Sequence, residues 1–384
     1  LLDTKRAMAA KRGMHGVLAA AAAMSAAALL LFAISANLSR SNSRLNSPLV
    51  RSPSRVVLPG AMRSLAPLSR RSKTTGRMCS GLVGRAMKNE DGEYIVDRSY
   101  NVVITGSTKG VGYALAEKFL EAGDSVVICS NEPQSVHDEV VSELATRFGA
   151  EKVKGTPCDV GVPEDFDNLV DFTKKELGDI DIWINNAGGN LYRYGPLFEM
   201  EDRIISATVD VNLVGTLYGC KRAINTMREQ ARGGHIFNML GQGQDGAPTA
   251  NVSVYGCSKR GLEQLNKSLR KELKVAKIEN VGVHLMSPGI VKTDLLMADK
   301  TIQTDKVKKF IINCLAEPAP DVAEQLVKGA RVVPIKFENE GTDGQKVPFL
   351  TPDKVLGKFA ARVFTGKNRG RWVTEETYLP FTDF

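Results

Sequence analysis

An α/β fold, a doubly wound parallel sheet with helices on both faces and a C-terminal helical extension, is predicted by three observations. Apolar strand candidates alternate with helical stretches from Ser99 onward. A glycine-rich turn follows the first strand candidate, and the polar motifs fall at strand carboxyl ends, where open parallel sheets bind ligands.

The first unit, "NVVITGSTKGVGYALAEKF", runs from Asn101 to Phe119. Residues 101–105 are mostly β-branched or apolar, as in a buried parallel strand, and apolar residues recur at helical spacing from Tyr113. Between them lie Thr105, Gly106, Ser107, Thr108, Lys109, Gly110, Val111 and Gly112. The three glycines let the backbone bend, approach a ligand and bring helix against strand, and a pyrophosphate would meet free N–H groups at the helix start. A second strand candidate, "DSVVICSN", ends in Ser130 and Asn131. An acidic residue ending this strand would bind a ribose 2′-hydroxyl, whereas neutral ends beside Lys109 suit a 2′-phosphate and hence NADPH. The alternative for Lys109 is a solvated surface lysine.

Four further strand candidates follow. "EKVKGTPCDV" ends at Asp159, "IDIWINNAGG" at Asn185 and Asn186, "GGHIFNML" near Leu240, and "VGVHLMSPGIV" near Ser287. The later stretch "LLMADKTIQTDKVKKFIINCLAEPAPD" mixes apolar and basic residues at helical spacing. It reads either as a lid over a large apolar substrate or as an ordinary packed helix pair.

The chain of 384 residues carries a formal charge of +8, but residues 1–88 hold 15 Lys or Arg against one Asp, a net of +14. The remainder is therefore −6 of the total, and a nucleic-acid partner is not expected. Lys5, Arg6, Lys11 and Arg12 precede an apolar run from Gly16 to Ala36, and a Ser- and Arg-rich, acid-free stretch follows. A signal-like segment and then a transit-like segment predict a bipartite plastid presequence; the alternative for the apolar run is a retained membrane anchor. The chain opens on Leu1 rather than Met, and an incomplete reading frame is expected. The expected divisions are 1–36 (signal-like), 37–95 (transit-like), 96–335 (NADPH-binding domain, with a lid near 294–330) and 336–384 (C-terminal extension). The six cysteines form no CxxC pair and only four histidines occur, so buried free thiols and no metal site are expected.

In "VYGCSKRGLEQL", Tyr255 and Lys259 lie four apart and share one helix face. The Lys259 ammonium would lower the phenol pKa of Tyr255 from about 10, giving a general acid–base group at working pH.

Taken together, TGSTKGVG, NNAG, VNLVG with Asn212, YGCSK and SPGIVKTD resemble the short-chain dehydrogenase/reductase family, whose domain is a Rossmann fold. The resemblance implies Tyr255 as proton donor, Lys259 as its pKa-lowering and ribose-binding partner, and Asn212 as holder of a relay water. It further implies Asp159 facing the adenine and Asn186, Ala187 and Gly188 along the cofactor. Pro288, Gly289, Val291 and Thr293 complete the set, with Thr293 at the nicotinamide carboxamide. Longer phrases, among them "GGHIFNM", "VGVHLMSPGIVKTDLL", "CLAEPAPDVAEQLVKGARVV" and "FLTPDKVLGKFAARVFTGKNRGRW", resemble the plant and algal chlorophyll b reductases. That resemblance implies plastid-located, NADPH-dependent reduction of a pigment's 7-formyl group. It also suggests contact with thylakoid membrane or light-harvesting protein, and a homo-oligomer or a hetero-oligomer with a related reductase. The alternatives are reduction of a 3-oxoacyl thioester or xanthophyll ketone, or a catalytically weak partner subunit. One departure bears on this choice. The family's carbonyl-polarising Ser, thirteen residues before the Tyr, is Gln242 here, leaving Gln242 or Gln244 as amide donors and Ser253 as a distant third.

Overall fold

The computed structural model describes residues 88–90 and 92–374; the expected signal-like and transit-like segments lie almost wholly outside them. The strands are β1 (Asn101–Thr105), β2 (Ser125–Ser130), β3 (Val153–Pro157), β4 (Ile182–Asn185), β5 (Gly234–Met239), β6 (Val281–Ser287), β7 (Val291–Lys292), β8 (Glu317–Pro318) and β9 (Lys346–Pro348). Seven of them form a parallel sheet in the order β3-β2-β1-β4-β5-β6-β9, and β7 pairs with β8 in a small second sheet.

Strand β1 shows why its sequence reads as an unbroken apolar run. Val102 and Ile104 enter one core with Leu115, Phe119, Leu144 and Leu326, while Val103 enters the other with Phe166, Leu169, Ala223 and Met227. Both faces are covered, so no position on the strand is available to a solvated side chain. Helices α1 (Gly110–Glu121), α2 (Gln134–Phe148) and α3 (Pro163–Leu177) follow the first three strands. Next come α4 (Asp202–Val209), a π-helical turn (Asp210–Val214), α5 (Gly215–Met227) and α6 (Ser253–Ala276). The chain then forms α7 (Asp294–Met297), α8 (Lys306–Leu315), α9 (Ala319–Glu340) and α10 (Pro352–Thr365).

Two expected boundaries change. Helix α9 buries Val322, Ala323, Leu326, Val327 and Ala330 in the same core as α1, so residues 319–330 are core rather than lid. The division at 335/336 falls inside α9, and β9 beyond it adds an edge strand to the sheet through pairing with β6. Cys129, Cys158, Cys220 and Cys314 are buried free thiols, whereas Cys257 is exposed. Among the described residues no helix is long and apolar enough to cross a membrane.

Candidate active site

Strand order reverses between β1 and β4, and the loops leaving their carboxyl ends open the crevice in which doubly wound folds bind ligands. After β1, Gly106 and Gly110 adopt φ of +64° and +63°, a region that side chains other than glycine rarely enter. A Cβ on Gly112 would collide with the Gly106 carbonyl and stand 2.6 Å from Asn186 Nδ2. Thr105 and Asn186 lock this turn to the loop after β4. Thr105 Oγ1 accepts from the Asn186 and Ala187 N–H groups at 3.1 and 3.0 Å, and Asn186 Nδ2 donates to the Thr105 and Gly106 carbonyls at 2.9 and 3.0 Å. The cradle is thus formed by backbone and left open by missing Cβ atoms, as a dinucleotide requires.

Several residues expected to bind a cofactor have their side chains committed within the protein. Ser107 Oγ donates to Ile104 O at 2.6 Å and accepts from Cys129 N at 3.0 Å, tying β1 to β2. Ser130 Oγ lies 3.2 Å from each of Thr108 Oγ1, Glu132 N and His137 Nε2. His137 Nε2 accepts from Ser130 N at 3.0 Å, so Nδ1 carries the proton and donates to Pro133 O at 3.0 Å. Asn131 is exposed, Asp159 Oδ1 accepts from Gly161 N at 2.8 Å, and Thr293 Oγ1 accepts from Leu296 N to cap α7. Gly188 and Gly289 are exposed, Val111 and Pro288 half-buried, and Val291 lies buried in β7.

The neutral end expected for β2 is incomplete. Glu132, two residues past the strand, pairs with Lys109 at 3.1 Å, so the turn's cation already faces a carboxylate. The pair is solvated, with side-chain exposures of 72% and 36%, and such pairs contribute little.

Helix α6 brings Tyr255 and Lys259 onto one face, with Lys259 Nζ 5.8 Å from the phenol ring centre. Lys259 is buried and donates to Met239 O at the end of β5, at 3.0 Å. Burial lowers its pKa to about 8, so it keeps its proton at neutral pH. Tyr255 departs from expectation. Its pKa is raised to about 12, first by burial and then by nearby Tyr194, rather than lowered by the ammonium. Desolvation of the phenolate outweighs attraction by a lysine that is itself directed to a carbonyl. Its hydroxyl sits against Gly241, where a Cβ would strike it.

Asn212 lies in the π-helical turn, an irregularity frequent at functional sites. Its amide clamps Gly189, accepting from its N–H and donating to its carbonyl, both at 2.8 Å. A Cβ on Gly188 would lie 2.6 Å from Asn212 Oδ1 and 3.1 Å from Lys259 Nζ, so this glycine keeps open the space between them.

The two glutamines divide. Gln242 is exposed, whereas the Gln244 side chain turns inward, with Nε2 3.2 Å from Ser287 Oγ. Its Oε1 is buried with no hydrogen-bond partner among the described residues. Rotating this amide by half a turn would place its NH₂ inward while its carbonyl accepts from Ser287. The intervening Gly243, at φ +88°, turns the chain so that the neighbours on either side point differently.

A further feature lacks any glycine to signal it. Asn190 O accepts from Arg193 N at 2.9 Å around a turn whose central residues, Leu191 and Tyr192, have φ of +52° and +58°. Left-handed backbone at ordinary L-residues costs about 1–2 kcal/mol each. From the same loop, Tyr194 Oη donates to Leu295 O at 2.6 Å, linking it to α7.

The chain is similar to proteins already known. A family model described as short chain dehydrogenase matches residues 100–304. A protein of Oryza sativa subsp. japonica named "Chlorophyll(ide) b reductase NOL, chloroplastic" is 46% identical over 277 residues, covering 72% of this chain and 79% of the relative. Its Arabidopsis thaliana namesake is 48% identical over 277 residues, covering 72% and 77%. The crystal structure of a 3-ketoacyl-(acyl-carrier-protein) reductase from Brucella melitensis, complexed with NADH, superposes with a TM-score of 0.54 at 22% identity, covering 65% of this chain and 96% of that one.

Proposed function

The chain belongs to the short-chain dehydrogenase/reductase family, and from that premise we propose that it is an NADPH-dependent reductase of the 7-formyl group of chlorophyll b, working in the plastid. The observation that carries the reaction type is the half-buried Tyr255 phenol set on one helix face with the buried Lys259, whose Nζ lies 5.8 Å from its ring centre, burial raising the phenol pKa to about 12. A proton donor must hold its proton until the transition state and have its anion stabilised afterwards. The 46–48% identity to proteins named chlorophyll(ide) b reductase supports the substrate, and their chloroplastic names support the compartment.

The turn from Thr105 to Gly112 would hold the pyrophosphate, Lys259 and the space beside Gly188 the ribose, and Lys109 the 2′-phosphate. When bound, the nicotinamide supplies a hydride to the formyl carbon. Tyr255 Oη gives its proton to the formyl oxygen, and the resulting phenolate is stabilised by the ammonium of Lys259. Asn212 holds the Gly188–Gly189 backbone in place and keeps one Nδ2 hydrogen and one Oδ1 lone pair for a relay water. Gln244 rather than Gln242 supplies the second hydrogen bond to the formyl oxygen, anchored at its other end by Ser287. With the amide rotated by half a turn, its inward NH₂ is satisfied by the carbonyl it polarises.

Incubation with NADPH and chlorophyll b, followed by chromatography, is expected to give the 7-hydroxymethyl product. NADPH binding without product from chlorophyll b or chlorophyllide b would overturn the reading.

A further inference from the structure

The turn at Leu191 and Tyr192 bears on how a pigment is chosen. Five non-glycine residues among those described have positive φ: Leu191, Tyr192, Asn251, Lys277 and Asn368. Two of these are asparagines, which tolerate the region, and Lys277 caps the end of α6. Leu191 and Tyr192 are consecutive, bulky, and at the centre of a tight turn where Asn-Gly is the usual choice.

The conformation is held from several sides. The Asn212 amide fixes Gly189, and buried Asn190 accepts from Tyr192 N at 3.1 Å and donates to Arg193 O at 3.0 Å. Tyr194 is tied to Leu295, and Gly195 N donates to Asn251 O at 2.9 Å. Between these anchors Leu191 and Tyr192 project outward, 38% and 52% exposed, and the same loop carries Leu197 and Phe198 at 51% and 87%. This loop is next to the chemistry, since it starts at Gly188, where a Cβ would stand 3.1 Å from Lys259 Nζ, and at Gly189, which the Asn212 amide clamps. Strained backbone that persists under such constraint marks a position where the displayed side chains matter more than local comfort.

We infer that the Leu191–Tyr192 turn is a preformed apolar platform that takes one face of a flat, largely apolar ring system and so determines substrate specificity. The inference rests on the proposed function and adds the surface that selects its substrate. A macrocycle offers a broad π-face to Tyr192 and apolar area to Leu191, and a rigid platform loses little entropy on binding it.

The test replaces the pair with residues made for the turn, Leu191→Asn together with Tyr192→Gly. The melting temperature should rise because the strain is relieved. KM for chlorophyll b should rise about tenfold or more, with a smaller change in kcat, because apolar contact is lost. A raised melting temperature with unchanged KM would overturn the platform while leaving the reductase reading intact. Should wild type give no product, the reductase reading falls, and quenching of intrinsic protein fluorescence by the pigment decides the platform separately. Weaker quenching in the double variant supports it, and equal quenching overturns it.

Discussion

The two ends of the sheet are built on opposite terms. At the amino-terminal end, polar groups are paired. Asp124 accepts from Tyr100 N at 3.0 Å and meets Arg331 at 2.9 Å, while Asp181 accepts from Asn101 N at 2.9 Å and meets Arg232 at 2.9 Å. Gln230 closes both ends of its amide on Ile180 and Gly233. His284 Nδ1 accepts from Gln345 N at 3.1 Å, so its other nitrogen carries the proton donated to His235 Nδ1 at 3.1 Å. At the carboxyl-terminal end lie a desolvated lysine, a desolvated tyrosine, an inward amide atom without a partner and two residues in left-handed backbone. Desolvated groups occur at both ends, but those at the amino-terminal end face charged or polar partners within the protein, whereas those at the carboxyl-terminal end surround the crevice where a ligand can satisfy them.

The sharpest way to break this contrast is to remove function without stability. Tyr255→Phe deletes only the hydroxyl, so carbonyl reduction should fall by roughly two to four orders of magnitude. Folding and NADPH binding should be unchanged, as read by thermal melting and cofactor titration. Full activity in this variant would remove Tyr255 from the mechanism.

The converse change removes stability without chemistry. Arg331→Met leaves Asp124, which is fully buried, without its cation, at a cost of about 3–5 kcal/mol. Burial already raises the Asp124 pKa to about 6 with Arg331 in place, and without that cation it rises further, so the deficit should shrink as pH falls towards 6 and the variant's carboxyl protonates. Denaturant unfolding at pH 5 and pH 8 checks both statements, and an equal deficit at the two pH values would contradict them.

Lys259 gives an intermediate effect with a definite sign. Its folded pKa of about 8 lies below the ordinary lysine value of 10.5, so between these values the unfolded chain binds more protons and folding stability rises with pH. Relative to Lys259→Met, which lacks the titration, wild type should gain on the order of 2 kcal/mol between pH 8 and 10. Measuring the difference matters, because buried Cys220 and Cys314, with pKa values raised to about 12 and 11, pull wild type and variant alike the other way above pH 9. A flat difference across that range would show that the ammonium is better solvated than its burial implies.

What the amino-acid order made legible follows the same division. The central strands were readable because burial on both faces leaves a continuous apolar run, and Tyr255 and Lys259 because a spacing of four is a helix property. Edge strand β9 was not, since three residues ending in Pro348 carry no pattern and owe their place to pairing with β6. Gln242 and Gln244 could not be told apart without knowing that Gly243 turns left-handed between them. Nothing in Leu191 and Tyr192 announces positive φ; Asn190 is the single local hint, and the tethers that impose the turn come from distant residues. The direction of the Tyr255 shift was misjudged because desolvation depends on packing, which spacing does not reveal.

Cofactor choice carries the smallest expected effect, because its determinants are solvated. Lys109 is the cation proposed to meet a 2′-phosphate, and Glu132 already pairs with it across 3.1 Å. A phosphate approaching this lysine must displace the carboxylate and would be repelled by it, whereas a 2′-hydroxyl can donate a hydrogen bond to the carboxylate. Glu132→Gln should therefore strengthen NADPH binding a few-fold and weaken NADH slightly, and Lys109→Glu should weaken NADPH about tenfold while sparing NADH. Added salt should compress both differences, since exposed charges are screened. Titrating both cofactors against each variant separates the contributions. Parallel changes in NADPH and NADH affinity would show that neither side chain meets the 2′ position, and the proposed preference for NADPH would lose its charge partner.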